Sequence, residues 1–191
     1  VEGVNNSVHS LSLVGNCDPP EIFSRLIALF KGLKKLEIES NNSLTPHDLQ
    51  FNRLPIESLT FTHCLVEHHR SLRLQSLKLL SLHDASNFTN DDWTHLAASN
   101  PNIEVLKVKD ESICNQKFTT ITQNMRKLTQ FELFFDPQRL TPDILNFIAG
   151  DLPLNIKILK ICERNPSNRS FFQLTNIQRE MLNLRHGFQL Y

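Results

Sequence analysis

The segment 103–108, Ile-Glu-Val-Leu-Lys-Val, decides the fold because it places apolar residues at its first, fourth and sixth positions. The fourth and sixth side chains are two residues apart, so they lie on the same side of a β-strand. Just before this segment, Trp93, Leu96 and Ala97 have the spacing of one face of a helix. The sequence therefore predicts a helix followed by a short strand with one buried side.

The same apolar spacing occurs seven times between residues 8 and 162, at intervals of 21 to 28 residues. The middle apolar residues of the seven units are Leu11, Leu36, Leu59, Leu80, Leu106, Phe131 and Leu159. Such periods are typical of solenoids, in which each unit buries its apolar side only by stacking on its neighbours. We therefore predict an α/β fold, a curved solenoid of about seven strand–helix units with a parallel sheet on the concave face.

The segments between the predicted strands have helical spacing, and most begin with Pro, Asn or Asp. Helices are predicted to open at Pro19-Pro20, at Thr45-Pro46 (a short one through Leu49), at the cap Asn90-Asp91-Asp92 and at Thr141, with one more containing Phe118, Ile121, Met125 and Leu128. The short connection 65–75 is predicted to be an irregular turn. Residues 1–191 form a single domain in this interpretation, with repeats over about 8–162 and a C-terminal helix or cap over 163–191. Within that cap we expect a helix over 170–185 and an eighth strand at Phe188 and Leu190.

The composition argues against several classes of protein. Lys and Arg total 20, as do Asp and Glu, so the chain lacks the basic excess of a nucleic-acid binder. Its five glycines are too scattered for a phosphate-binding loop, and we predict no cofactor. No apolar run approaches the ~18 residues of a membrane span. The four cysteines are dispersed, which favours a reducing compartment, and we predict a cytoplasmic or nuclear protein.

Three residue clusters contain side chains of the types that bind metals or act in catalysis. The segment 63–69 contains three His, one Cys and one Glu. In the predicted register, Asp84 and His83 would lie beside it. Imidazoles in a polar turn, however, rarely hold a metal without converging partners. Ser81, His83 and Asp84 resemble a hydrolytic triad only in composition, because they follow one another along a strand end. Glu37 and Glu39 would share one solvated strand face. We therefore predict neither a metal site nor catalytic residues, and a protein that is not an enzyme.

Over nearly its whole length the chain resembles leucine-rich repeat proteins. The stretch from Trp93 to Val108 is also similar to the unit "helix, then C-P-N-L-x-x-L-x-L" of F-box leucine-rich repeat proteins, with Pro101-Asn102-Ile103 kept and Asn100 in the place of the Cys. The F-box itself is absent from this chain. The resemblance implies a substrate-recognition domain of a ubiquitin-ligase adaptor, which would contact the ligase linker protein only through a missing upstream F-box.

In leucine-rich repeat proteins an Asn or Cys five residues after the middle apolar residue forms a ladder of hydrogen bonds with loop backbone. Three units carry such a residue, at Asn16, Asn41 and Cys64. The last four units carry other residues at this position, namely Ala85, Glu111, Asp136 and Arg164. The ladder is therefore in question in the second half of the chain.

The register also predicts which residues would meet a protein partner on the concave face. In the C-terminal half, apolar residues lie among cations, as in many binding hot spots. The candidate partner-binding residues are Leu79, His83, Val105, Lys107, Lys109, Glu132, Phe134, Ile158 and Lys160. Two interpretations stay open for the lysines, solvation or attraction to an acidic or phosphorylated partner. Two also stay open for Phe134 and Phe135, exposure or packing under the following loop.

The predicted function is therefore protein–protein interaction, with an F-box-type substrate receptor as its most specific form. The alternatives are an intracellular leucine-rich repeat scaffold or regulator unrelated to ubiquitin ligases and, less favoured, an RNA-binding or RNA-export solenoid. An extracellular receptor ectodomain is disfavoured because neither end carries clustered cysteines. No membrane partner is expected.

Overall fold

A computed structural model describes residues 7–15, 20–40, 54–64, 66, 72–110, 112–135, 142–150 and 152–163. Several predicted features lie outside these residues: the helix from Thr45, the helix over 170–185, the eighth strand and nearly all of the cap over 163–191. The same holds for the ladder positions Asn16, Asn41, Glu111, Asp136 and Arg164.

One seven-stranded sheet organises the described residues, and its strands neighbour one another in chain order. The strands are β1 (Ser10–Val14), β2 (Lys35–Glu39), β3 (Ser58–Thr62), β4 (Leu79–Leu82), β5 (Val105–Lys109), β6 (Gln130–Phe135) and β7 (Ile158–Glu163). All six pairings are parallel, and each aligns the middle apolar residue of one unit with that of the next, from Leu11 to Leu159. The prediction of an α/β protein with an open parallel sheet is confirmed, and the strand order is compatible with a solenoid.

Four helices lie between strands in the described part of the chain. They are α1 (Pro20–Ala28), α2 (Asn90–Ser99), α3 (Asn115–Asn124) and α4 (Pro142–Gly150). Leu128 was expected in the third of these helices, but α3 ends at Asn124 and Leu128 is buried just before β6. Of the 65–75 connection the structure describes residues 66 and 72–75, so most of the predicted irregular turn lies outside the described residues.

The N-terminus of α2 corrects a second detail of the prediction. Thr89, rather than Asn90 to Asp92, is the N-cap residue, and its side chain accepts a hydrogen bond from the backbone of Asp92. The Asp92 carboxylate accepts in return from the Thr89 backbone N–H at 2.9 Å. This reciprocal capping box satisfies two backbone donors at the start of the helix. The third helical residue, which is usually Glu or Gln in a capping box, is Asp92 here.

The core lies on one side of the sheet, between the inward strand residues and the helices. The ring centroid of Phe118 on α3 lies 5.4 Å from that of Phe131 on β6, in a tilted pair, and 5.8 Å from that of Phe147 on α4, edge to face. On α2, the predicted inward residues Trp93, Leu96 and Ala97 are buried as expected. Because the helices pack on the inward side, the alternate residues of each strand point to the opposite side, which we call the open face.

The loops after the strands are tied to the neighbouring unit in two different ways. In the first half, the Cys64 thiol is buried and donates to backbone oxygens of Thr62 (3.2 Å) and Ile38 (3.6 Å). Both acceptors belong to the strands β2 and β3, so Cys64 bonds to strand backbone rather than to the loop backbone that was expected. At the equivalent position of the next unit, Ala85 is buried and has no polar side chain, so it cannot form the side-chain hydrogen bonds that Cys64 forms.

In the second half, an Asp-x-Ser motif follows the strand. The Asp84 carboxylate accepts from the backbone N–H of Ser86 at 3.1 Å, and Asp110 accepts from Ser112 at 2.6 Å. The Ser112 hydroxyl also lies 3.0 Å from the Ser86 carbonyl oxygen, which joins the two loops. These Asx turns satisfy loop backbone without the Asn or Cys ladder.

Candidate functional site

The open face consists of three rows of side chains that run across the strands in register. The middle row contains Ser12, Glu37, Thr60, Ser81, Lys107, Glu132 and Lys160. The row toward the strand starts contains Ser10, Lys35, Ser58, Leu79, Val105, Gln130 and Ile158. The third row contains Val14, Glu39, Thr62, Lys109 and Phe134, with His83 directly after β4. All nine residues predicted to bind a partner lie in these rows.

The centre of the C-terminal half is an ion cluster formed by Lys107, Gln130, Glu132 and Lys160. Lys107 Nζ lies 3.1 Å from Glu132 Oε2, and Lys160 Nζ lies 2.9 Å from Glu132 Oε1. The Gln130 side-chain amide donates to the same Oε1 at 2.6 Å. Three strands are thus linked side by side through one carboxylate.

Glu132 is almost enclosed by its partners, with only 5% of the residue exposed. Burial by itself would raise the pKa of this carboxyl, but hydrogen bonds from Lys160, Lys107 and Gln130 together outweigh burial and hold the pKa below its ordinary value. Glu132 is therefore a charged, well-partnered group that a protein partner reaches only past the two lysines. Gln130 was not among the predicted site residues, although its register beside Val105 and Ile158 was the available signal.

Lys109 differs from the other two open-face lysines of this half. In the described part of the chain it forms no ion pair, whereas Lys107 and Lys160 each pair with Glu132. It lies beside Phe134 in the register and is half-buried. Of the three, Lys109 has the charge most available to an incoming anion.

Apolar side chains flank the ion cluster. Leu79 and Val105 are register neighbours on β4 and β5, and both are partly exposed. Ile158 on β7 is 43% exposed. Phe134 is partly exposed as well, while the side chain of Phe135 and the loop that follows lie outside the described residues.

The N-terminal half of the open face has the opposite character. Glu37 is half-buried and Glu39 is exposed, and Lys35 Nζ lies 4.0 Å from Glu37 Oε2. Small side chains separate this acidic strand from the cationic half: Ser58, Thr60, Thr62 and Ser81.

Two histidines meet between the halves. The rings of His63 and His83 are 6.4 Å apart, centroid to centroid. Burial lowers the pKa of His83, and the nearby His63 and Lys109 lower it further because they disfavour a second positive charge. His83 is thus held toward its neutral form.

The structure brings together few of the residues that were considered as metal ligands and rejected. Among the residues it describes, no group of three or more His, Cys, Asp or Glu side chains is arranged to hold a metal ion. The Cys64 thiol donates to backbone oxygens, and Glu67, His68 and His69 lie outside the described residues.

The triad-like residues do not form a catalytic arrangement either. Asp84 accepts hydrogen bonds from Ser86, both from its backbone N–H and from its hydroxyl. Ser81 is buried on the open face, and no hydrogen bond joins it to His83 in the described region. Within the described residues, Ser81, His83 and Asp84 therefore lack the hydrogen bonds that would link a nucleophile to a base and the base to an orienting acid.

Asn100, which replaces the Cys of the resembling F-box unit, is almost fully buried. Its amide donates to the carbonyl oxygens of Leu72 and Leu96, and its side-chain oxygen accepts from the Leu74 backbone at 2.8 Å. Asn100 therefore joins the end of α2 to the preceding unit, a contact that the shorter Cys side chain could not make in full.

A scan against protein-family models and a search of curated proteins both gave no match to this chain. Within the described ranges, no helix has the length and apolar character needed to cross a bilayer.

Proposed function

We propose that this chain is a leucine-rich repeat solenoid that binds a protein partner on the open, concave face of its sheet. The observation that carries the proposal is the composition and exposure of that face. Seven strands present aligned side chains, and of those described only Ser81 and Glu132 are buried. Apolar and charged residues lie side by side over the C-terminal half, which is the composition of a protein-binding surface.

The more specific proposal is that the chain is the substrate-recognition domain of an F-box-type ubiquitin-ligase adaptor. It is supported by the similarity of residues 93–108 to the repeat unit of that family. The helix α2, the turn at Pro101 and the strand β5 follow one another in the order of that unit. The ligase linker protein would bind through an F-box outside this chain.

Affinity purification of the protein from its own cells, followed by mass spectrometry, tests both the general and the more specific proposal. The substrate-receptor proposal predicts recovery of a cullin-type ligase with its linker protein, together with candidate substrates. Recovery of other partners without any ligase component would contradict the ligase proposal and would favour a scaffold or regulator.

Two single substitutions on the open face make the experiment specific for this surface. Lys109→Glu reverses the charge of a lysine that has no ion pair among the described residues, and Val105→Arg places a long cation over the apolar pair. We expect both to reduce the recovery of the partner. Matched controls are Arg126→Glu and Gln123→Arg, because these two exposed residues of the α3 region lie away from the open face. Equal recovery with the open-face variants and with the controls would contradict binding at this face.

A further inference from the structure

Charges on the open face are separated from one end of the sheet to the other. Strand β2 presents Glu37 and Glu39 with a single cation, Lys35, so the N-terminal half has a net negative charge. Strands β5 to β7 present three lysines and one glutamate, so the C-terminal half has a net positive charge, even after Glu132 neutralises one lysine. The overall neutrality of the chain conceals this separation.

The distance between the two charged regions is fixed by the sheet. Glu37 and Lys107 belong to the same row and are three strands apart, on β2 and β5. Neighbouring strands lie about 4.8 Å apart, so the two positions are separated by about 14 Å. An extended peptide rises about 3.3–3.6 Å per residue, and it covers this distance in about four residues.

The surface between the charged regions suits a peptide that crosses the strands. Thr60 and Ser81 separate Glu37 from Lys107 in the middle row, and both side chains are small. In the adjacent row, Leu79 and Val105 form a partly exposed apolar pair. A crossing peptide would therefore meet acid, then small polar and apolar side chains, and then base.

We infer that the partner binds as an extended segment that carries a basic and an acidic residue about four positions apart, with an apolar residue between them. The basic side chain pairs with Glu37 and Glu39. The acidic side chain pairs with Lys109 and with the outer side of Lys107, and the apolar residue contacts Leu79 and Val105. This inference rests on the proposed function, because it specifies what the open face recognises.

The test begins with a phage-displayed library of random linear peptides, selected on the full chain. We expect enrichment of peptides with Lys or Arg about four positions from Asp or Glu, and an affinity that falls as salt is raised. The double variant Glu37→Lys with Glu39→Lys should bind these peptides about tenfold more weakly, since two attractive pairs become repulsive. Peptides in which Glu replaces the basic residue should then bind this variant better than they bind the original chain.

Controls and outcomes separate this inference from the proposed function. Asp91→Lys with Glu104→Lys makes the same charge change at exposed sites off the open face, and it should leave peptide affinity unchanged. Selected peptides that need Val105 but contain no such charge pair would overturn the inference and leave the proposed function standing. A library that yields no peptide sensitive to Val105→Arg would also overturn the inference, while the proposed function would still be judged by co-purification.

Discussion

Lys107 on β5 and Glu132 on β6 are register neighbours, and their charged atoms lie 3.1 Å apart on the open face. Lys160 approaches the same carboxylate from the other side, at 2.9 Å. The cluster thus holds three neighbouring strands and places two lysines in fixed positions. It also means that Lys107 and Lys160 are partly neutralised before any partner arrives.

The first prediction concerns this cluster. Replacement Glu132→Ala leaves the two lysines facing each other without the carboxylate, so we expect a loss of about 1–2 kcal/mol in the free energy of unfolding. Urea denaturation at neutral pH measures it. Glu132→Gln keeps the shape and one acceptor and should cost less. An Ala variant as stable as the original chain would show that the cluster contributes nothing to the fold.

Acid should weaken the same cluster. Because the pKa of Glu132 is lower in the folded chain than in the unfolded one, its contribution is present above the ordinary glutamate pKa and is lost as the pH falls through the folded value. Denaturation curves at a series of acidic pH values should therefore show a smaller loss of stability for Glu132→Gln than for the original chain. Parallel losses for the two proteins would contradict this assignment.

A third prediction concerns His83, whose pKa is lowered by partial burial and by the nearby His63 and Lys109. The unfolded chain then binds the proton more readily than the folded one. The free energy of unfolding is therefore unaffected by His83 above the ordinary histidine pKa, and it falls as the pH drops below that value. His83→Gln should remove part of this fall. His95→Gln, at an exposed position of α2, is the control and should keep it. The prediction fails if the two variants follow the same pH dependence.

The strand register is tested by core truncation. Leu80 and Leu106 are fully buried in the middle positions of β4 and β5, and we expect Leu→Ala at either to cost about 2–5 kcal/mol. Ile158→Ala, on the open face at 43% exposure, should cost less than about 1 kcal/mol. A loss below about 0.5 kcal/mol at Leu80 or Leu106 would contradict the register of that unit.

The Asp-x-Ser loops give a matched pair of substitutions. Asp110 is fully buried, accepts from Ser112 and pairs with Lys117 at 3.2 Å, so Asp110→Ala should cost about 3 kcal/mol. Asp84 makes the same turn with Ser86 in a more exposed setting, and Asp84→Ala should cost about 1 kcal/mol or less. Equal losses in chemical denaturation would show that burial of the Asp110–Lys117 pair is unimportant.

The sheet could be predicted from the sequence because apolar spacing alone sets which strand residues are buried. Leu106 and Val108 must point inward, and repetition of the spacing then fixes the pairing of Leu80 with Leu106. The residue that caps a helix was harder to predict, because several short polar side chains near the helix end can fill that position. Thr89 competes with its polar neighbours for the N-cap position, and only the backbone geometry decides between them.

The open-face residues could be assigned to rows in advance, but their interactions could not. Register places Lys107, Glu132 and Lys160 side by side, yet the enclosure of Glu132 depends on how both lysine chains fold over it. The loop motif at Asp84 and Asp110 was not predicted, because the repeat pattern assigns the loop contact to the residue that follows each Asp. A search for Asp-x-Ser directly after each strand would have found it.

The central claim, that a protein partner lies on the open face, is tested most directly by site-specific photo-crosslinking of the protein in its own cells. A photoreactive residue is placed at position 105 on the open face or at position 123 on the exposed side of α3. The account predicts that the co-purified partner is crosslinked from position 105 and not from position 123. A partner crosslinked from position 123, with none from position 105, would contradict the claim.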